Sequence, residues 1–178
     1  MAVGPSSGWP PEAAANPGMF LYLIRHAHAR DAGMDFDRPL SDEGRAQVER
    51  LVRFLRGGTV PAPEEVWHSH LVRAAETAEL VAGGLGWKAP VSAIDGLEPD
   101  ADLRTILLRV NASDRPLAIF GHEPFLSGLG ALLVKGTNWP PVFAMHKCGM
   151  LALDRMGERG APWIVNWHLS PELFGLAG

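Results

Sequence analysis

Two histidines and two arginines carry most of the chemistry this sequence offers. Arg25-His26 follows the apolar run Met19-Phe20-Leu21-Tyr22-Leu23-Ile24, and Gly121-His122-Glu123-Pro124 follows Leu117-Ala118-Ile119-Phe120. A phosphoryl group presents several oxygens, and the planar fork of an arginine meets them better than a point charge does. Arg25 and Arg73 are therefore candidate clamps. An imidazole beside them can attack phosphorus if one ring nitrogen is unprotonated and the other is held by a hydrogen bond, which makes a covalent phosphohistidine. The adjacent Arg25 and His26 supply both roles. Taken singly, either histidine could equally serve the fold, as a hydrogen-bonded group in a turn.

Other side chains invite other chemistry. His26-Ala27-His28 and His68-Ser69-His70 are both His-x-His pairs, a spacing that can aim two imidazoles at one metal ion. No cysteine cluster and no His-Glu-x-x-His helix accompanies them, so His28, His68 and His70 are expected at a pocket edge or on the surface. Asp31, Asp35 and Asp37 lack the glycine and distal glutamate of a calcium loop and are expected in a solvated loop near the entrance. Trp139, Trp163 and Trp167 are expected to pack rather than to stack on a nucleotide.

These residues need elements to position them. The run 19–24 predicts a buried strand that delivers Arg25 and His26 to its carboxyl end, and 117–120 does the same for His122. Ser41 can cap a helix whose Val48, Leu51, Val52 and Leu55 recur at spacings of three and four until Gly57-Gly58. Val66-Trp67-His68 predicts a strand and 71–81 a helix closed by Gly83-Gly84, with Arg73 in its first turn. Further helices are predicted over 102–110 and 125–134, and two strands over 149–156 and 163–169. Strands and helices in that order predict an α/β domain: a three-layer sandwich with a mostly parallel mixed sheet flanked by helices. In such domains ligands gather at the carboxyl ends of the strands.

With those motifs laid out, the chain resembles the histidine phosphatase superfamily, and within it the small SixA-type phosphohistidine phosphatases. Leu23-Ile24-Arg25-His26-Ala27 resembles the Arg-His-Gly/Ala signature. Leu40-Ser41 with Gly44 resembles the helix entry, Ser69 with Arg73-Ala74 and Thr77-Ala78 the second arginine motif, and Gly121-His122-Glu123-Pro124 the second histidine motif. Gly96-Leu97-Glu98-Pro99, the segment 143–151 and Trp167-His168-Leu169-Ser170-Pro171 extend the likeness over about residues 19–172. Each motif is weak by itself; their order is the signal. The resemblance implies a phosphoglycerate-mutase-like fold, His26 as nucleophile, Arg25 and Arg73 on the phosphoryl oxygens, and His122 beside the group in transfer. It implies no metal and no other cofactor. Glu98 is the candidate proton donor, with His122 or the substrate's own imidazole as alternatives. Three departures stand out: His70 and Glu76 where proline and glutamine are frequent, and Glu123 before Pro124 where asparagine is common. Glu76, one turn from Arg73, is expected either to orient that arginine or merely to solvate its helix.

Composition narrows the rest. The chain has 178 residues, one cysteine and a formal net charge of −4, so no basic field draws nucleic acid and no intramolecular disulfide is possible. No window is apolar enough to span a bilayer and no leader pattern opens the chain, so a cytoplasmic enzyme is expected. Residues 1–18, built of glycine, proline, serine, alanine and asparagine around few apolar side chains, are expected to be a flexible tail, leaving 19–178 as one domain. Only 48 positions separate Arg73 from Gly121, too few for a large cap. Small metabolites are usually enclosed, so an exposed pocket and a phosphohistidine on a partner protein are favoured. A small phosphomonoester handled by the same mechanism, and a noncatalytic phosphate-binding module, are the alternatives.

Overall fold

The computed structural model describes residues 18–31 and 33–174. The expected tail therefore lies, apart from Gly18, outside the described residues. Six strands form one sheet: β1 (Phe20–Arg25), β2 (Glu65–His68), β3 (Val91–Ala93), β4 (Leu117–Gly121), β5 (Met150–Arg155) and β6 (Trp163–Leu169). Their spatial order is β3-β2-β4-β1-β5-β6. β1, β2, β3 and β4 run parallel, and β5 and β6 add an antiparallel edge. Four helices cover it: α1 (Asp42–Arg56), α2 (Val72–Leu85), α3 (Leu103–Ala112) and α4 (Phe125–Lys135).

The alternation along β1 shows how the layers are made. Phe20, Tyr22 and Ile24 are buried against Val48, Leu51 and Leu55 of α1 and Ala78 and Val81 of α2. Leu21 and Leu23 point the other way, into a second core with Ile106 and Val110 of α3 and Leu126 and Leu129 of α4. A strand buried on both faces must be apolar at every position, which is why its sequence reads as an unbroken run. The expected three-layer sandwich with a mostly parallel mixed sheet is the fold observed.

Several boundaries differ from expectation. Gly83-Gly84 does not end α2; the helix continues to Leu85 and closes at Gly86, whose φ of 70° is the left-handed cap. A Cβ on Gly84 would sit 2.8 Å from Val52, so this glycine allows α1 and α2 to approach rather than stopping the chain. β3 was not expected, because three exposed residues paired with β2 alone leave no hydrophobic run to see. Trp163 is buried and Trp167 stacks on Tyr22, but Trp139, expected to pack, is 77% exposed.

Ser41 caps α1 as expected, accepting from the Gly44 amide at 3.1 Å. The loop after β1 is fastened to this helix entry: Ser41 N donates to His28 O, and His28 N donates to Gln47 Oε1. Gly44 lies so close to that loop that a Cβ would be 2.0 Å from His28 O. The helix entry and the residues after Arg25-His26 thus hold one another in place.

Candidate active site

Parallel strands bring their carboxyl ends to one edge of the sheet, and β1, β2 and β4 are adjacent there. Arg25 pairs in register with Gly121, and His68 with Phe120. Just past that edge, His26 N donates to Gly121 O at 3.0 Å and Ser69 N to Phe120 O at 3.2 Å. His26, Ser69 and His122 therefore leave three neighbouring strands together. The His26 and His122 ring centroids are 4.9 Å apart.

The state of His26 follows from its partners. Its Nδ1 is 2.7 Å from Ala27 O, and a carbonyl only accepts, so Nδ1 carries the proton. Burial lowers the imidazole's pKa to about 2, helped by Lys147, His122 and Arg73 and opposed by the Ala27 carbonyl. The ring is neutral at pH 7, with its lone pair on Nε2. Ala27 is itself held, since its N–H donates to Thr77 Oγ1 at 3.1 Å while that hydroxyl donates to Arg73 O at 2.6 Å. One threonine on α2 links the His26 loop to the Arg73 turn.

His122 is lowered to about 3, by burial first and then by Arg73, with Asp35 opposing. Its Nε2 lies 2.6 Å from Ser69 Oγ and its Nδ1 is buried with no hydrogen-bond partner among the described residues. Arg25 donates from Nη1 to Met145 O at 2.7 Å, and its Nε is likewise buried and unpartnered. Arg73 donates to both Asp35 O, at 2.7 Å, and Asp35 Oδ2, at 3.0 Å. The four expected residues are thus brought together.

Glu98 is not joined to them. Its carboxylate accepts from Gly96 N at 3.0 Å, closing its own turn, with no hydrogen bond to either histidine or either arginine. The turn does border the site, because Leu97 O would be 3.5 Å from a Cβ on Gly121. Glu76 neither orients Arg73 nor idles in solvent: it accepts from Leu40 N at 2.8 Å and pairs with Arg45. Glu123 caps the first turn of α4 through Ser127 N. The His-x-His pairs diverge, His28 meeting Ser41, His68 meeting Ser69 O and His70 meeting Asp95. Among the described residues no group of three or more histidine, cysteine, aspartate or glutamate side chains could hold a metal ion.

Two participants escaped the sequence reading. Lys147 places Nζ 3.3 Å from His26 Nε2. Asp35, expected as one acid of a solvated loop, reaches Arg73 from the short 3-10 turn Asp35–Asp37. Nothing in residue type or local spacing marks either one, since each meets its partner through the tertiary fold. They also narrow the site: His26 and Arg73 are each 5% exposed and His122 1%, so the expected exposed pocket does not extend to these side chains. Lys147, His122 and Arg73 stand close to His26, and Arg25 acts on His122 and Lys147, a set suited to a tetrahedral oxyanion.

Comparison with known proteins agrees with this architecture. Residues 21–99 match the family model "Histidine phosphatase superfamily (branch 1)". The protein histidine phosphatase SixA, in a structure complexed with tungstate, superposes with a TM-score of 0.78 at 23% identity, covering 87% of this chain and 99% of SixA. A mycobacterial glucosyl-3-phosphoglycerate phosphatase gives 0.62 at 18% identity, covering 86% of this chain and 100% of its own. A phosphoserine phosphatase mutant from Entamoeba histolytica gives 0.63 at 14%, covering 86% and 98%. No curated protein matches the sequence. The stretch 21–99 is thus similar to the histidine phosphatase superfamily, and the fold of the described chain is the one SixA adopts.

Proposed function

We propose that this protein is a phosphatase that works through a phosphorylated His26 and acts on phosphohistidine carried by another protein. One observation carries the mechanism: His26 is neutral, with Nδ1–H fixed by Ala27 O and Nε2 meeting Lys147, while His122 and Arg73 stand close to the ring. In the first step the Nε2 lone pair forms a bond to phosphorus while the bond to the leaving nitrogen or oxygen breaks. The leaving group departs with that electron pair and takes up one proton, for which Glu98 remains the candidate carboxylic acid. In the second step water attacks phosphorus and gives its proton to the carboxylate left by the first step, while the N–P bond breaks with its pair returning to Nε2. Arg25 and Arg73 stabilise the equatorial oxygens throughout.

The protein substrate is favoured by one feature: the loop whose Asp35 touches Arg73 exposes Met34 and Phe36, apolar side chains suited to another protein's surface. A small phosphomonoester is the second reading, favoured by the low exposure of His26 and His122, which leaves a narrow approach. No helix among the described residues is long and apolar enough to cross a membrane.

A stopped reaction with a labelled phosphohistidine protein and a panel of small phosphomonoesters, comparing wild type with His26→Ala, tests this. Acid-labile label on the wild type only, and hydrolysis lost in the variant, are expected. Hydrolysis that persists unchanged in His26→Ala overturns the mechanism, turnover of small compounds alone overturns the substrate, and loss of activity in EDTA overturns its independence of metal.

A further inference from the structure

The turn before β5, within the segment 143–151, carries a side chain to which the sequence motifs give no role. Gly149 N donates to His146 O at 2.9 Å, Cys148 N donates to His26 O at 3.3 Å, and Arg25 N donates to Gly149 O at 3.1 Å. The turn is therefore bonded to the backbone of the Arg25-His26 pair itself. It has little freedom: a Cβ on Gly149 would lie 2.9 Å from His146 O, and Cys148 sits at φ 56°, a left-handed conformation that side chains rarely adopt. From this anchored backbone Lys147 brings Nζ to 3.3 Å from His26 Nε2. Because Nδ1–H is committed to Ala27 O, the ammonium is the donor and the Nε2 lone pair the acceptor.

We propose that Lys147 is a third phosphoryl clamp: its ammonium holds the Nε2 lone pair before substrate arrives and passes to a nonbridging oxygen of the phosphoryl group that His26 receives. The inference rests on the reading of His26 as nucleophile. A lone pair engaged by an ammonium cannot attack, so the contact must break as the phosphoryl group enters. The released Nζ is then beside the oxygens of a phosphorus bonded to Nε2. The leaving atom lies in line on the far side of that phosphorus, so Lys147 stands on the wrong side to protonate it. Lys147 keeps its proton, and the Nε2–P bond forms as the bond to the leaving group breaks. The charges facing Lys147 are Arg25 from β1, Arg73 from α2, Arg38 and Asp35 from the loop between β1 and α1, and the imidazoles of His26 and His122. One carboxylate against three guanidinium groups leaves the ammonium short of counter-charge, which a phosphoryl dianion supplies. Burial and those arginines lower Lys147 to about 8.

Lys147→Met, Lys147→Gln and Lys147→Arg test this, with phosphoramidate as phosphodonor and inorganic phosphate as the binding probe. The expected result is acid-labile label forming 10- to 100-fold more slowly in the Met and Gln variants. Phosphate should bind at least 10-fold more weakly, the Arg variant should recover most of both, and the 15N resonance of His26 Nε2 should shift in the unliganded Met variant. Wild-type kcat/KM should fall above a pH of about 8 and meet the Met variant there. Urea midpoints equal to wild type establish that the variants fold. Label forming at the wild-type rate in Met or Gln, or undiminished phosphate binding, overturns the clamp while leaving His26 as nucleophile. A wild type that never carries label overturns the nucleophile instead, and with it the transfer to a phosphoryl oxygen.

Discussion

Replacing Asp35 by asparagine should tighten anion binding, although it removes an ion pair to a residue assigned to the phosphoryl group. Asp35 Oδ2 lies 3.0 Å from Arg73, occupying a donor that a phosphoryl oxygen would take. Two unit charges about 4 Å apart interact by about 1 kcal/mol in water and about 4 kcal/mol at an effective dielectric of about 20. The Asp35 side chain is 62% exposed while that of Arg73 is 6% exposed, so one partner is largely hydrated and the smaller figure applies. A competing interaction of about 1 kcal/mol corresponds to about a fivefold gain in affinity when it is removed. The Asp35 carbonyl still accepts from Arg73 at 2.7 Å, so the variant retains an anchor for the guanidinium. Arg73 and then Arg38 hold the Asp35 carboxyl below its ordinary range, so the competition is fully present at neutral pH and is lost as pH falls through that lowered value. Calorimetric titration of inorganic phosphate or tungstate at pH 7 into wild type and Asp35→Asn measures the change. The gain should shrink in high salt, since the Asp35 carboxylate is open to solvent. Weaker binding in the variant would show that Asp35 positions Arg73 rather than competing for it, and unchanged binding would show that the pair costs the anion nothing; either result refutes the reasoning.

Acid should destabilise the fold through its two buried histidines. With folded values of about 2 for His26 and about 3 for His122, the unfolded chain takes up two protons that the folded protein refuses as pH drops below the ordinary 6.5. Stability contributed by these groups is therefore intact above that value and falls between it and about 3, with a slope of at most about 2.7 kcal/mol per pH unit. Urea unfolding at several pH values should show a shallower slope in His26→Asn/His122→Asn; an identical slope would place the acid sensitivity elsewhere. Gly44→Ala forces a Cβ to within 2.0 Å of His28 O, backbone against backbone, and should cost about 3 kcal/mol through overpacking and a disturbed Ser41 cap. A urea-derived loss below about 1 kcal/mol would mean that the loop after β1 yields easily. Ser69→Ala leaves His122 Nε2 buried without its 2.6 Å partner, a cost of about 1–3 kcal/mol, and should lower kcat about tenfold. An unchanged kcat would show that His122 is held in place without the hydroxyl.

The sheet, its covering helices and four of the site residues were legible because each leaves a local mark. Apolar runs announce β1 and β4, periodic leucines and valines announce α1, and polar residues directly after a strand must emerge at its carboxyl end. What failed was also local in kind. Paired glycines resemble a helix stop, but Gly84 is there for the contact with Val52, and three exposed residues make β3 invisible until β2 lies beside them. The size of Trp139 suggests packing, but its 77% exposure comes from a loop whose path no pattern specifies. Glu76 lies one turn from Arg73 in sequence, yet its carboxylate meets Leu40 N, 36 residues distant.

The amino-acid sequence by itself determined an α/β layering and the emergence of Arg25, His26 and His122 at strand ends, with Arg73 in the first turn of α2. Those outcomes follow from periodicity and burial, which act over a few residues. Only the tertiary structure decided the state and company of His26. Lys147 reaches His26 across 121 positions, Asp35 reaches Arg73 across 38, and Ser69 reaches His122 across 53. Desolvation of both imidazoles likewise exists only once the layers close around them. Charge pairing and burial depend on distance in space, and parallel strands joined by helical crossovers make neighbours of residues that the chain keeps far apart.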